Sequence, residues 1–144
     1  MGPLLLQLPP SFQFNSENFK RLQNFLKRAS QVKIAIEFRD TSWNKEETFA
    51  LLKRFRAALC LADGHRQRIP YIEAETSEFV YLRFHGQERL YASSYSHQEL
   101  KQWAKKIDNW RKRGLMIYAY FNNDFSGFAF ENAKTLKSIL ENDT

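Results

Sequence analysis

Two short stretches of this chain place ionisable side chains where they can act together: Glu37-Phe38-Arg39 and Arg83-Phe84-His85. In an extended strand, successive side chains point to opposite faces. Each phenylalanine therefore turns one way, and the charged residues beside it turn the other. A carboxylate, two guanidinium groups and an imidazole on a shared face suit two tasks. Glu37 or His85 can exchange protons as general acid or base, while Arg39 and Arg83 clamp an anionic group. The same alternation adds Gln7, Tyr81, Tyr118, Tyr120 and Asn122 to that face, and Asp63, ending the third strand, is assigned to it as well. A purely structural network, with Glu37 paired to Arg39 or Arg83, is the competing reading. Buried ion pairs seldom add net stability over apolar packing, so charges from several strands pointing one way fit a site better.

The segments that must position these residues alternate between strand and helix. Leu4 to Leu8 reads as a short strand stopped by Pro9-Pro10. Apolar residues at helical spacing follow from Ser16 to Ala29, then a strand from Lys33 to Arg39. A helix is expected from Asn44 to Arg56, opened by a capping box of Asn44 and Glu47. Ala57 to Ala62 is the third strand, and a polar loop runs from Gly64 to Glu78. The central strand, Phe79 to Gly86, has Val80, Leu82 and Phe84 on its apolar face. Ser96 and Glu99 form a capping box before a helix striped by Leu100, Trp103, Ala104, Ile107 and Trp110 and ended by Gly114. Leu115 to Phe121 is the last strand, and Ala129 to Leu140 the last helix. This alternation predicts parallel strands in an α/β fold, whose sites form at the C-terminal strand ends.

The chain has 144 residues, the size of one domain, and is 43% hydrophobic, which excludes a disordered chain. Cys60 is the single cysteine, so no internal disulfide forms, and a core thiol in a cytoplasmic protein is expected. Leu4-Leu5-Leu6 is too short for a signal or membrane segment. The net charge of +6 divides in two. Lys27-Arg28, Lys53-Arg54-Arg56, Lys105-Lys106 and Arg111-Lys112-Arg113 fall in late helical turns, where they complement the macrodipole. Arg39, Arg66, Arg68, Arg83 and Arg89, with His65, His85 and His97, are placed on the strand-end face, where they favour an anionic ligand, with Tyr91 and Tyr95 as stacking candidates. Glu37, Asp63, His85 and Asp124 could form a hard-metal set, but no spacing signature supports it and no metal or cofactor is assigned.

Gly2-Pro3-Leu4-Leu5-Leu6-Gln7-Leu8-Pro9-Pro10, Glu37-Phe38-Arg39 with Ser42-Trp43, Ala58 to Asp63, Tyr81 to Gly86 and Tyr120-Phe121-Asn122-Asn123-Asp124 together resemble the YecE-like family, catalogued as domain of unknown function 72. The resemblance implies a TIM (β/α)8 barrel of which this chain carries strands four to eight, a single domain lacking the first three strands and their Gly-Thr-Ser-Gly-Trp-like start. It carries over Gln7, Glu37, Arg39, Asp63, Arg83, His85, Asn122, Asn123 and Asp124 as mouth residues. With it, the candidate catalytic set is Glu37, His85, Asp63 and Asp124, and the substrate-binding set is Gln7, Arg39, Arg83, Asn122, Asn123 and Tyr120. The family resemblance implies no reaction. The leading expectation is an enzyme, a hydrolase or lyase, acting on a phosphorylated or other anionic small molecule. The alternatives are nucleic-acid binding without catalysis and an inactive barrel fragment. Open strand edges predict self-association.

Overall fold

The computed structural model describes residues 2–64, 69–86 and 93–142. Five strands, β1 (Leu4–Gln7), β2 (Ile34–Glu37), β3 (Ala58–Gly64), β4 (Phe79–Gly86) and β5 (Met116–Phe121), form one sheet in the order β1-β2-β3-β4-β5. Every neighbouring pair is parallel. Among the described residues, four α-helices connect or follow them: α1 (Ser16–Arg28), α2 (Glu46–Arg54), α3 (His97–Lys112) and α4 (Phe128–Asn142).

Side-chain parity divides the sheet into two faces. Ile34, Ile36, Leu59, Leu61, Val80, Leu82 and Phe84 pack outward with Leu22, Leu26, Leu52, Leu100, Trp103, Ile107 and Leu136 of the helices. The opposite face carries a smaller cluster of Ala35, Ala58, Cys60, Phe79 and Tyr81, flanked by Leu5 and Tyr118. That face is concave. In a flat sheet β1 and β4 would lie three strand spacings, about 14 Å, apart. Their side chains nevertheless meet, Arg83 Nη1 donating to Gln7 Oε1 at 2.9 Å. The sheet is a half-barrel with its helices outside.

Local expectations mostly match. Ser96 accepts the Glu99 N–H while the Glu99 carboxylate accepts the Ser96 N–H, closing the box that starts α3. All five apolar residues of the α3 stripe are buried, and Gly114 takes a φ of +83° after it. Lys27 and Arg28, Lys53 and Arg54, and Arg111 and Lys112 occupy last helical turns as expected.

The start of α2 differs. The Asp40 side chain accepts the Ser42 N–H at 2.9 Å and opens a 3-10 turn, Thr41–Trp43. Asn44 then closes that turn through its N–H to Thr41, so it cannot cap α2, which begins after Lys45 without a side-chain cap. The turn has a purpose: it buries Trp43 completely. The indole stacks on Phe38 at 4.7 Å and Phe12 at 5.5 Å, meets Phe14 edge-on, and donates to the Phe12 carbonyl.

Trp43→Ala is therefore expected to remove about 3–5 kcal/mol of stability, as full truncation of a buried aromatic does. Urea unfolding of the purified chain measures this. A loss below about 1 kcal/mol would show that the turn does not anchor the β2–α2 connection.

Candidate functional site

The register brings the inner-face residues to one level of the half-barrel. Gln7 lies opposite Glu37, and Arg83 opposite Tyr120. Glu37 has no exposed surface. Its Oε1 lies 2.5 Å from Arg39 Nη2 and its Oε2 2.6 Å from Arg83 Nη1. Gln7 Oε1 accepts from both guanidinium groups, from Arg39 at 3.1 Å and Arg83 at 2.9 Å. Arg83 Nε donates to Asn122 Oδ1 at 3.0 Å. His85 Nε2 stands 3.7 Å from Glu37 Oε1, within ion-pair range but long for a formed hydrogen bond. Six of the ten expected site residues thus form one array: Gln7, Glu37, Arg39, Arg83, His85 and Asn122.

The electrostatics follow from that packing. Burial by itself would raise the Glu37 carboxyl. The adjacent His85 and Arg83 side chains and the positive charge of Arg39 outweigh it and hold the group down at about 2. Glu37 is thus ionised at any ordinary pH. Two guanidinium cations against one carboxylate leave the array net positive. One donor also remains: Arg39 Nε–H is buried and has no hydrogen-bond partner among the described residues. Residue-level reading missed Cys60 as a neighbour of this site. Its Sγ lies 3.7 Å from Glu37 Oε2, and burial first, then the Glu37 charge, push the thiol well up. The signal was parity, since Cys60 is two residues from Ala58 and Ala62 on the inward face.

The other four expected site residues are not bonded into this array, and three of them point away from it. Asp63 does not share the inner layer. Its Oδ2 accepts from Trp103 Nε1 of α3 at 3.2 Å, because Leu59, Leu61 and Asp63 take the outward parity of β3. Asn123 is buried, but its amide donates to the Ser93 carbonyl and to Asn132 of α4; it ties the end of β5 to that helix. Asp124 is exposed at the head of the turn into α4, where its carbonyl accepts the Gly127 N–H. Tyr120 is on the inner face, 43% exposed and stacked on Tyr81 at 5.0 Å. With Asp63 and Asp124 apart from Glu37 and His85, the hard-metal set does not assemble, and no group of three potential metal ligands occurs among the described residues.

Two further expectations are corrected. Tyr95 is not a stacking platform: it is buried against Phe84 and Phe121. Its hydroxyl donates to the Asp63 carbonyl at 3.1 Å and accepts the Gly86 N–H at 3.2 Å, pinning the ends of β3 and β4 together. His97 is exposed on the first turn of α3, beside α4 rather than at the array. His65, Arg66, Arg68, Arg89 and Tyr91 lie outside the described residues.

Comparison with known proteins places this geometry among relatives. A family model described as "Protein of unknown function DUF72" matches residues 1–144. The chain is 24% identical over 164 aligned residues to the UPF0759 protein YunF of Bacillus subtilis, covering 98% of this chain and 58% of YunF. A crystal structure of a DUF72 family protein from Thermotoga maritima superposes with a TM-score of 0.87 at 30% identity, covering 95% of this chain and 56% of that one. A DUF72 family protein from Enterococcus faecalis superposes at 0.85 with 24% identity, covering 96% and 61%. The chain therefore spans somewhat over half the length of these relatives.

The depressed Glu37 carboxyl has a pH consequence. A folded-state value of about 2 against an ordinary 4.5 gives stabilisation that is complete above about pH 4.5 and is lost as pH falls toward 2. The shift corresponds to about 3 kcal/mol. Urea midpoints measured from pH 5 down to pH 2 should fall accordingly. In Glu37→Gln, which lacks that titration, the decline should be shallower by this amount; an equal decline would assign the acid sensitivity to other carboxylates.

Proposed function

The chain belongs to the DUF72 family, whose members are uncharacterised and have no established activity, and on that footing we propose that the Gln7–Glu37–Arg39–Arg83–His85–Asn122 array is an enzyme-type site for an anionic substrate. One observation carries the reading. A single buried carboxylate fixes two guanidinium groups, one from β4 and one from just beyond β2, which leaves a net positive charge and a buried Arg39 Nε–H still available to donate. A phosphoryl or carboxylate group meets both needs, since planar guanidinium groups bind such oxyanions in fork geometry.

Roles follow from the charges. A Glu37 held near 2 is a poor proton donor and a weak base, so it orients the clamp rather than exchanging protons. His85 is the side chain of the array whose chemistry suits proton donation and acceptance. It is fully buried with its Nε2 3.7 Å from Glu37 Oε1, so its proton exchange would be with a group seated in the array. Arg39 and Arg83 hold the anion, and Gln7 and Asn122 keep Arg83 in place. Tyr120, beside Arg83 in the register, offers an exposed ring for the rest of the substrate. In the same reading the five strands are the fourth to eighth of a (β/α)8 barrel, the first three having no counterpart here, and the lone thiol suits a cytoplasmic setting. Nucleic-acid binding is not favoured: Lys27, Arg28, Lys53, Arg54, Arg111 and Lys112 occupy last helical turns, and Lys106, Lys112 and Arg113 pair with Glu73, Asp108 and Glu75.

Calorimetric titration with inorganic phosphate tests the clamp. Arg83→Met should weaken binding about tenfold or more, the effect of losing one charge-assisted hydrogen bond, while Lys112→Ala on α3 should leave it unchanged. Equal affinity in well-folded Arg83→Met would remove the site.

A further inference from the structure

The polar array occupies the C-terminal ends of the strands, and a second group of charges gathers at their other ends. A hollow of about 440 Å³ opens where the chain enters the three central strands. Lys33 precedes β2, Arg54 and Arg56 precede β3, and Glu78 precedes β4, so the charged lining comes from three separate connections. Lys33 and Phe79 each stand four residues before an array member, Glu37 and Arg83. That spacing puts the hollow about 13 Å down the strands from the array. Its volume falls in the range of small-molecule sites.

The cations of the hollow are positioned without being neutralised. Lys33 Nζ lies over the Phe79 ring at 5.9 Å, and the Arg54 guanidinium over the Phe55 ring at 5.6 Å. Both rings belong to the lining; they steer the cations but bring no counter-charge. Among the described residues, none of Lys33, Arg54, Arg56 and Glu78 forms an ion pair. Three cations against one carboxylate leave the hollow net positive. The macrodipole accounts for Arg54 in the last turn of α2, but it acts only over that turn. Lys33 stands five residues beyond α1 and Arg56 two beyond α2, so neither is explained that way.

The backbone of Arg56 is an independent observation. It takes a φ of +52°, the left-handed conformation that ends many helices and that glycine adopts most easily. Its N–H donates to the Lys53 carbonyl and the Ala57 N–H to the Leu52 carbonyl, the paired bonds of a Schellman stop. Ser77 Oγ donates to the Arg56 carbonyl at 2.9 Å, tying this residue to the connection before β4. The position suits glycine, yet the chain sets a guanidinium in the lining of the hollow.

We propose that this hollow is a second anion site, separate from the array, which binds a small multivalent oxyanion of the phosphate class through Lys33, Arg54 and Arg56. Guanidinium groups suit such oxyanions because their planar N–H donors match the spacing of the oxygens. A monovalent anion would leave part of the charge uncompensated, and an apolar ligand all of it. Glu78 opposes the ligand rather than binding it.

The probe is inorganic pyrophosphate, titrated at fixed ionic strength into isotope-labelled Arg83→Met and followed by amide chemical shifts. Shifts at Lys33, Arg56 and Phe79 report the hollow and those at Gln7, Glu37 and Arg39 the array, so the two readings fail separately. A saturating response at the hollow is expected. Arg56→Gly removes one cation while easing the left-handed backbone, so it should melt no lower than its parent. It should nevertheless bind about tenfold more weakly, as losing one charge-assisted contact does. Arg54→Gln, at an exposed position, should weaken binding similarly, and Glu78→Gln should tighten it by removing a like charge. No saturating response at the hollow overturns the proposal, as does full affinity in both arginine variants. Weaker binding in Glu78→Gln also overturns it, since the carboxylate would then be a contact of the ligand.

Discussion

A carboxylate with no exposed surface must be compensated where it lies, and the compensation of Glu37 organises the concave face of this protein. Its partners come from different parts of the chain: Arg39 from just beyond β2, Arg83 and His85 from β4, with Gln7 of β1 bridging the two arginines. No two-strand segment could assemble this set. Removing either arginine would leave a buried charge short of its counter-ion, a far larger penalty than the net worth of the pair. The array thus demands a curled sheet, and the curled sheet in turn holds the array at fixed geometry.

Curling is made affordable by a division of labour between the faces. Outward residues of each strand pack against the helices and supply most of the apolar burial, which leaves the inward residues free to be polar at the strand tops. Behind the array, small devices keep the strand ends in register. The ladder between β3 and β4 shifts at Asp63 and Gly64, and a Cβ at Gly64 would sit 3.0 Å from both His85 Cβ and Ile69 Cδ1. A side chain there would displace His85 from the array. Tyr95 bridges the same two strands from the helix side, and Asp63 holds Trp103 of α3. Together these residues set where the β4 members of the charged cluster stand.

The half-barrel form also explains why the site is open. The array sits on a concave wall, with Tyr120 exposed next to Arg83 and with β1 and β5 at the two ends of the sheet order among the described residues. In relatives of which this chain matches somewhat over half, the same wall belongs to a longer polypeptide. A clamp of arginines can bind an oxyanion on an open wall, but water screens it there. Enclosure would strengthen the same contacts by lowering the local dielectric.

The sequence by itself determined the strand–helix alternation, the parallel sheet and the inward company of Gln7, Glu37, Arg39, Arg83, His85 and Asn122. Those features follow from two-residue periodicity, which is local and survives without knowledge of neighbours. Tertiary structure alone decided what happens where periodicity is silent or the chain turns. In β3 both parities are apolar, so only packing against Trp103 fixes Asp63 outward. Asn123 and Tyr95 stand in connections, where partners from α4 and the strand ends, not spacing, set their direction. Asn44 loses its capping role because the buried Trp43 claims the preceding turn. The depressed Glu37 carboxyl likewise exists only once three strands converge, since it is a property of distances between residues remote in the chain.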